Sequence, residues 1–196
     1  MTTTSSQEKH GSAGTASEFG HVAGPNTVVF ERVLPGPIER VWAYLTESDK
    51  RAKWLAAGDM ELHVGGRVEL IFRNSELAPT GEPVPERFRG NSQEMRSEGC
   101  VTRCEPPRLL SFLWGGANDG SEITFELSPQ GADVRLVLTH SRLANRAALV
   151  DVSGGWHIHL RVLADELSGR PKQPFWSELE RLEAEYDRRI PGAAKA

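Results

Sequence analysis

The stretch "SGGWHIHLRVLADELSGRP", residues 153–171, decides how this chain reads. At about 100° per residue, Trp156, Leu160, Leu163 and Leu167 recur at spacings of four, three and four and make one narrow apolar stripe. Gly169 and Pro171 stop the helix, because glycine accepts a left-handed cap and proline cannot continue the hydrogen-bond ladder. His159 falls about 60° from the centre of the stripe, on its border, and His157 lies farther round. The two imidazoles diverge, whereas gripping one metal from a helix needs an i, i+4 pair. Ile158 and Val162 make a second apolar strip that needs a cover of its own. The expected element is a helix laid over a core, with His157 on a tolerant flank.

The residues upstream supply that core. "NTVVFERVL" (26–34) is β-branched and aromatic and reads as a first strand. In "PGPIERVWAYLTES" the period changes, with Ile38, Val41, Trp42 and Leu45 at helical spacing and Pro37 suited to a first turn. Ser48 and Asp49 can cap a second short helix, "DKRAKWLA", with Trp54 and Leu55 inward. From 60 to 140 the period is two. Val68, Leu70 and Phe72 share a face, as do Leu110, Phe112 and Trp114, then Ile123, Phe125 and Leu127, then Val134, Leu136, Leu138 and His140. Turns such as "VGG", "GGANDG" and "SPQGAD" between them predict an antiparallel meander with one face on the core. "SELAPTGEPVPERFRGN" (75–91) is too rich in Pro and Gly for a central strand and reads as a long loop.

The ends differ from the middle. Residues 1–26 are rich in Thr, Ser and Gly, offer almost nothing to bury, and read as a disordered arm without the apolar core of a secretory signal. In the tail, 171–196, "PFWSELERLEAEYDRRI" puts Phe175, Leu179, Leu182 and Tyr186 on one face. This amphipathic helix could fold back on its own domain or meet a second copy in a homodimer.

Composition excludes several classes. The 196 residues are 38% hydrophobic and 26% charged, with a net charge of -4, an ordinary globular balance. No clustered Lys/Arg run is present to neutralise phosphates, so no nucleic-acid partner is expected. No run of about 18 apolar residues occurs, so no membrane span is expected and the chain reads as cytoplasmic. Cys100 and Cys104 on one strand would lie roughly 13 Å apart at about 3.3 Å per residue, beyond the reach of a disulfide. Two thiols also leave a zinc site short of ligands. No metal, cofactor or catalytic motif is expected: nucleophile elbow, Walker loop, HExxH and Rossmann fingerprint are all missing.

Strand, two short helices, an antiparallel sheet of about six strands and a long helix is the order of an α+β helix-grip fold. Four blocks make the likeness more specific: "PIERVWAYLTESDKRAKWLA", "VGGRVEL", "EGCVTRCEPPRLLSFLW" and "GGWHIHLRVLADEL". In this order they resemble the single-domain bacterial proteins called activator of heat shock protein 90 ATPase homologue-like, of the START / Bet v 1-like (SRPBCC) superfamily. The resemblance spans residues 27–170 and treats Gly155–Trp156 as the opening of the last helix. The 75–91 loop and the tail lie outside the shared blocks.

The resemblance implies a curved sheet gripping the helix, with an elongated apolar cavity between them for a lipid or other hydrophobic small molecule. Alternation then nominates Phe72, Phe112, Trp114, Phe125, Leu138 and His140 on the sheet side, and Trp156, His159, Leu160 and Leu163 on the helix. Ordinary core packing would explain any one of these equally well. A second reading is a cyclase- or hydratase-like enzyme on an aromatic or polyketide-like substrate, with His140 or His159 as acid/base. A third is a co-chaperone, as the family name suggests.

Overall fold

A computed structural model describes residues 19–115 and 120–192. Seven strands form one antiparallel sheet: β1 His21–Gly24, β2 Thr27–Pro35, β3 Arg67–Phe72, β4 Met95–Glu105, β5 Leu109–Trp114, β6 Ser121–Gln130 and β7 Asp133–Ser141. Their spatial order is β1-β2-β7-β6-β5-β4-β3. Helices α1 (Ile38–Thr46) and α2 (Ser48–Arg51) follow β2, and α3 (Asn74–Leu77) follows β3. The long α4 (Arg146–Ser168) follows the sheet, and α5 (Trp176–Arg189) completes the chain. The four inward sets named from alternation are buried, Trp114 excepted, which is half-buried, and β5 also buries Leu109 and Ser111 on its other face. For the inward sets a period of two leaves no other choice once one face is covered. Cys100 and Cys104 are free thiols on β4.

Four expectations change. The sheet has a seventh strand, β1, drawn from the stretch assigned to a disordered arm. It pairs with the edge of β2, and Phe19 just before it packs edge-on to His157 and Tyr186, ring centroids 4.9 and 5.7 Å away. An unpaired strand edge and an aromatic anchor compensate for the polar composition. Residues 1–18 of that arm lie outside the described residues, as do 116–119 of the "GGANDG" turn and the tail's last four. The 75–91 loop is also more regular than its composition suggests. It holds part of α3 and a 3-10 turn at Glu86–Phe88, and it buries Leu77, Ala78 and Phe88.

Ser48 begins α2 rather than capping it; its Oγ accepts the Gly58 N–H at 3.0 Å instead. Finally, α4 starts ten residues before Trp156. Asn145 caps it, Oδ1 accepting the Ala148 N–H at 3.0 Å. Gly154 and Gly155 therefore sit mid-helix, where each costs about 1 kcal/mol relative to Ala. The other end is as expected, with Gly169 at φ 66°.

The tail folds back. Phe175, Trp176, Leu179, Leu182 and Tyr186 are all buried, and α5 lies antiparallel along α4, with Arg146 bonded to the Ile190 carbonyl and Arg161 to that of Pro174. It is the cover that the second strip of α4 required. The stripe offered for a homodimer is thereby used within the chain.

Candidate functional site

A cavity of about 440 Å³ opens between the β3–β5 end of the sheet, α4, α5 and the 75–91 loop. Of the residues nominated from sequence, Phe72, Trp114, Trp156 and His159 line it. Phe72 and Trp114 stack with their centroids 5.3 Å apart, and Trp156 meets Trp114 edge-on at 6.1 Å. Phe88 from the loop and Phe175 and Leu179 from the tail complete the apolar wall.

The other six nominated residues do not line the cavity. Phe112, Phe125, Leu138, His140, Leu160 and Leu163 are at most 2% exposed and belong to solid core. The reason is close approach. Over β5–β7 the side chains of α4 and sheet interlock, with Trp156 edge-on to Phe125 at 5.8 Å and Trp54 edge-on to the same ring at 6.4 Å. Alternation identifies an inward face but not where that face is left unfilled.

The paired glycines explain where space remains. A Cβ on Gly154 would stand 2.6 Å from Glu183 Cγ, so this glycine lets α5 approach α4. A Cβ on Gly155 would meet nothing within 4 Å, and Gly155 lines the cavity. One glycine admits a helix; its neighbour leaves a hole.

The three histidines divide by their partners. The Trp156 indole N–H donates to His140 Nδ1 at 2.9 Å, so His140 carries its proton on Nε2 and donates to Ser121 Oγ, 2.7 Å away. Burial lowers its pKa to about 4. Both nitrogens are engaged and neither reaches the cavity, which removes His140 as an acid/base candidate. His157 is not a tolerant flank residue. It is 4% exposed, with Nδ1 3.0 Å from the Tyr186 hydroxyl, which accepts the Gly20 N–H. Burial lowers its pKa also to about 4. The helix wheel placed it correctly but could not show that α5 and residues 19–20 cover that side.

His159 is 8% exposed and remains at the cavity. Its Nδ1 lies 2.7 Å from the Trp54 carbonyl oxygen. A carbonyl can only accept, so Nδ1 holds the proton and Nε2 the lone pair. Burial lowers this pKa too, to about 4.

Polar groups gather where loop and tail meet. Arg87 Nη2 lies 3.1 Å from Glu183 Oε2, its Nε 3.3 Å from Glu180 Oε1, and its guanidinium rests over Phe88. Burial raises the Glu183 pKa to about 6 against the opposing pull of Arg87, and burial also raises that of Asp151. Asn74, 7% exposed, lines the same space, and its buried Oδ1 has no hydrogen-bond partner among the described residues. Sequence reasoning missed Arg87 and Glu183 because loop and tail lay outside the shared blocks, Asn74 because it just precedes that loop, and Asp151 because the helix was opened at Gly155. Two signals pointed there: Phe88 is the one aromatic residue of the 75–91 loop, and Glu183 borders the tail's apolar stripe. Among the described residues no group of three or more His, Cys, Asp or Glu side chains could hold a metal ion. Nor is any helix there long and apolar enough to cross a membrane.

The sequence model of the "Activator of Hsp90 ATPase homolog 1-like protein" family matches residues 35–168. The chain belongs to this family. A member of the same fold from Bordetella parapertussis, solved in solution, is 45% identical over 93% of this chain and 98% of its own, with a TM-score of 0.74. CalU16 from Micromonospora echinospora, at 24% identity, covers 84% of this chain and 85% of its own with a TM-score of 0.60. The Aha1 dimer from Colwellia psychrerythraea, at 19% identity, covers 72% and 95% with a TM-score of 0.52. These last two share the fold alone. No curated protein sequence matches the chain. The family match ends at residue 168, so Phe175, Leu179 and Glu183 contribute to the cavity from outside the matched segment.

Proposed function

We propose that this protein binds a small hydrophobic molecule in the cavity between α4, α5 and the β3–β5 end of the sheet. The observation that carries the reading is a space of about 440 Å³ walled by Phe72, Phe88, Trp114, Trp156 and Phe175. A cavity of several hundred Å³ with aromatic walls and a few convergent polar groups is the usual form of a small-molecule site. The core beside it is packed solid, so the space is not general looseness. A cytoplasmic carrier or sensor fits this arrangement better than a co-chaperone, because the distinctive chemistry faces inward.

Gly155 supplies the test. Gly155→Leu grows a side chain into the cavity at a position with no neighbour within 4 Å of Cβ, and it replaces a poor helix former with a good one. Thermal stability should hold or rise while binding of the neutral probe N-phenyl-1-naphthylamine, read by its emission, drops at least about tenfold. Undiminished probe binding in the folded variant would rule this cavity out as the site. Native mass spectrometry of the unsubstituted protein should show a discrete co-purifying small molecule that the variant lacks.

A further inference from the structure

Among its polar groups the cavity holds unmet acceptors and more carboxyls than cations, beside the amides of Asn74 and Asn91. His159 is held as a hydrogen-bond acceptor, because the Trp54 carbonyl takes the Nδ1 proton at 2.7 Å. Its Nε2 has no partner among the described residues, although the residue is more than nine-tenths buried. Asn74 adds a buried amide whose oxygen is likewise unpartnered. Asp151 and Glu183 add two carboxyl groups. Against these acceptors the cavity has a single cationic side chain among the described residues, Arg87, already engaged by Glu183 and Glu180. A carboxylate entering this space would meet two like charges and no free cation. A hydroxyl or N–H would meet a lone pair that no protein donor among the described residues satisfies, and such groups discriminate between ligands.

We propose that the cavity selects an uncharged, apolar ligand carrying a hydrogen-bond donor, that His159 Nε2 is the acceptor that reads this donor, and that carboxylates such as fatty acids are turned away. This rests on the cavity being the binding site, as proposed above, and adds the ligand's chemical class and a specificity-determining residue. The stacked Phe72–Trp114 pair and the edge of Trp156 favour a planar body for the donor to sit on.

Three probes of one shape separate the outcomes: 2-methylnaphthalene, 2-naphthol and 2-naphthoate, titrated at pH 7.5 and read by quenching of tryptophan emission. The expected order is naphthol tightest, methylnaphthalene about tenfold weaker, and naphthoate weaker again. His159→Asn keeps a donor near the Trp54 carbonyl but leaves nothing at the Nε2 position, so it should bring naphthol down to methylnaphthalene. His159→Gln, whose amide oxygen can reach the Nε2 position, should restore part of the preference. Naphthoate binding as tightly as naphthol overturns the proposal, as does methylnaphthalene binding with naphthol no tighter. A naphthol preference that survives His159→Asn removes His159 as the reader. If none of the three binds, the hydrophobic-binding reading itself fails and this inference falls with it.

Discussion

The space between the sheet and α4 has two halves built from the same kinds of residue with opposite results. Over β5–β7, Phe112, Phe125, Leu138, Leu160 and Leu163 fill it completely. Toward β3, Phe72, Trp114 and Trp156 are just as aromatic, yet they wall a cavity. Side-chain type does not separate the halves. What separates them is the covering element: α4 and the sheet close directly on each other in the first. In the second, the outer wall comes from the 75–91 loop and α5, and the missing side chain at Gly155 leaves the space beneath it open. A hollow half can persist because the solid half carries the folding energy.

The largest test of this contrast removes the outer wall. Ending the chain after Gly169 strips away Phe175, Trp176, Leu179, Leu182 and Tyr186, all buried. At about 1.5–3 kcal/mol for each buried apolar side chain, the loss is comparable to the net stability of a domain. The truncated chain should fail to give a cooperative urea transition; a near-normal transition would mean that α5 is an appendage.

Acid tests both halves together. His140, His157 and His159 are each held near pKa 4 in the fold, below the ordinary 6.5, by burial. Between those values the unfolded chain binds protons that the folded one refuses, so stability is complete above pH 6.5 and falls as pH drops toward 4. Each imidazole can contribute on the order of 3 kcal/mol across that window. Glu183 acts oppositely, its raised pKa of about 6 adding stability that is present below 4.5 and lost as pH rises through 6. One carboxyl cannot offset three imidazoles. The urea midpoint should therefore decline steadily from pH 6.5 to 4.5, and a flat profile would mean that the histidines are more hydrated than their burial indicates.

Trp156 sits on the boundary, edge-on to Phe125 on the solid side and lining the cavity on the other. Trp156→Ala should cost about 3–5 kcal/mol, including the bond to His140, and should also weaken binding of apolar probes. A loss of binding without a loss of stability would place this side chain wholly in the hollow half. The smallest effect is expected at Met95, half-buried on the cavity wall opposite Phe72 in the β3–β4 register. Met95→Ala should change stability by under about 1 kcal/mol yet alter probe affinity measurably. A cost as large as that of Trp156→Ala would mean that the hollow half is packed as tightly as the solid one.

Local periodicity made much of this molecule legible. The strand faces at Val68–Phe72, Leu110–Trp114, Ile123–Leu127 and Val134–His140, the stripe of α4 and its Gly169 stop all follow from patterns only a few residues long. The α5 stripe was readable as an amphipathic face but not its destination. The start of α4 was hidden because Gly154–Gly155 looks like a beginning to any local rule, and only the approach of Glu183 explains a glycine there. The helix wheel separates His157 from His159 by side, but not their partners, Tyr186 and Trp54, which lie 29 and 105 positions away.

What the sequence by itself determined is therefore which residues turn inward, because backbone geometry converts spacing into sidedness. Only the tertiary structure decided which inward residues touch one another and which face empty space. Those outcomes depend on how closely elements far apart in the chain can approach, and that distance is encoded in no single stretch.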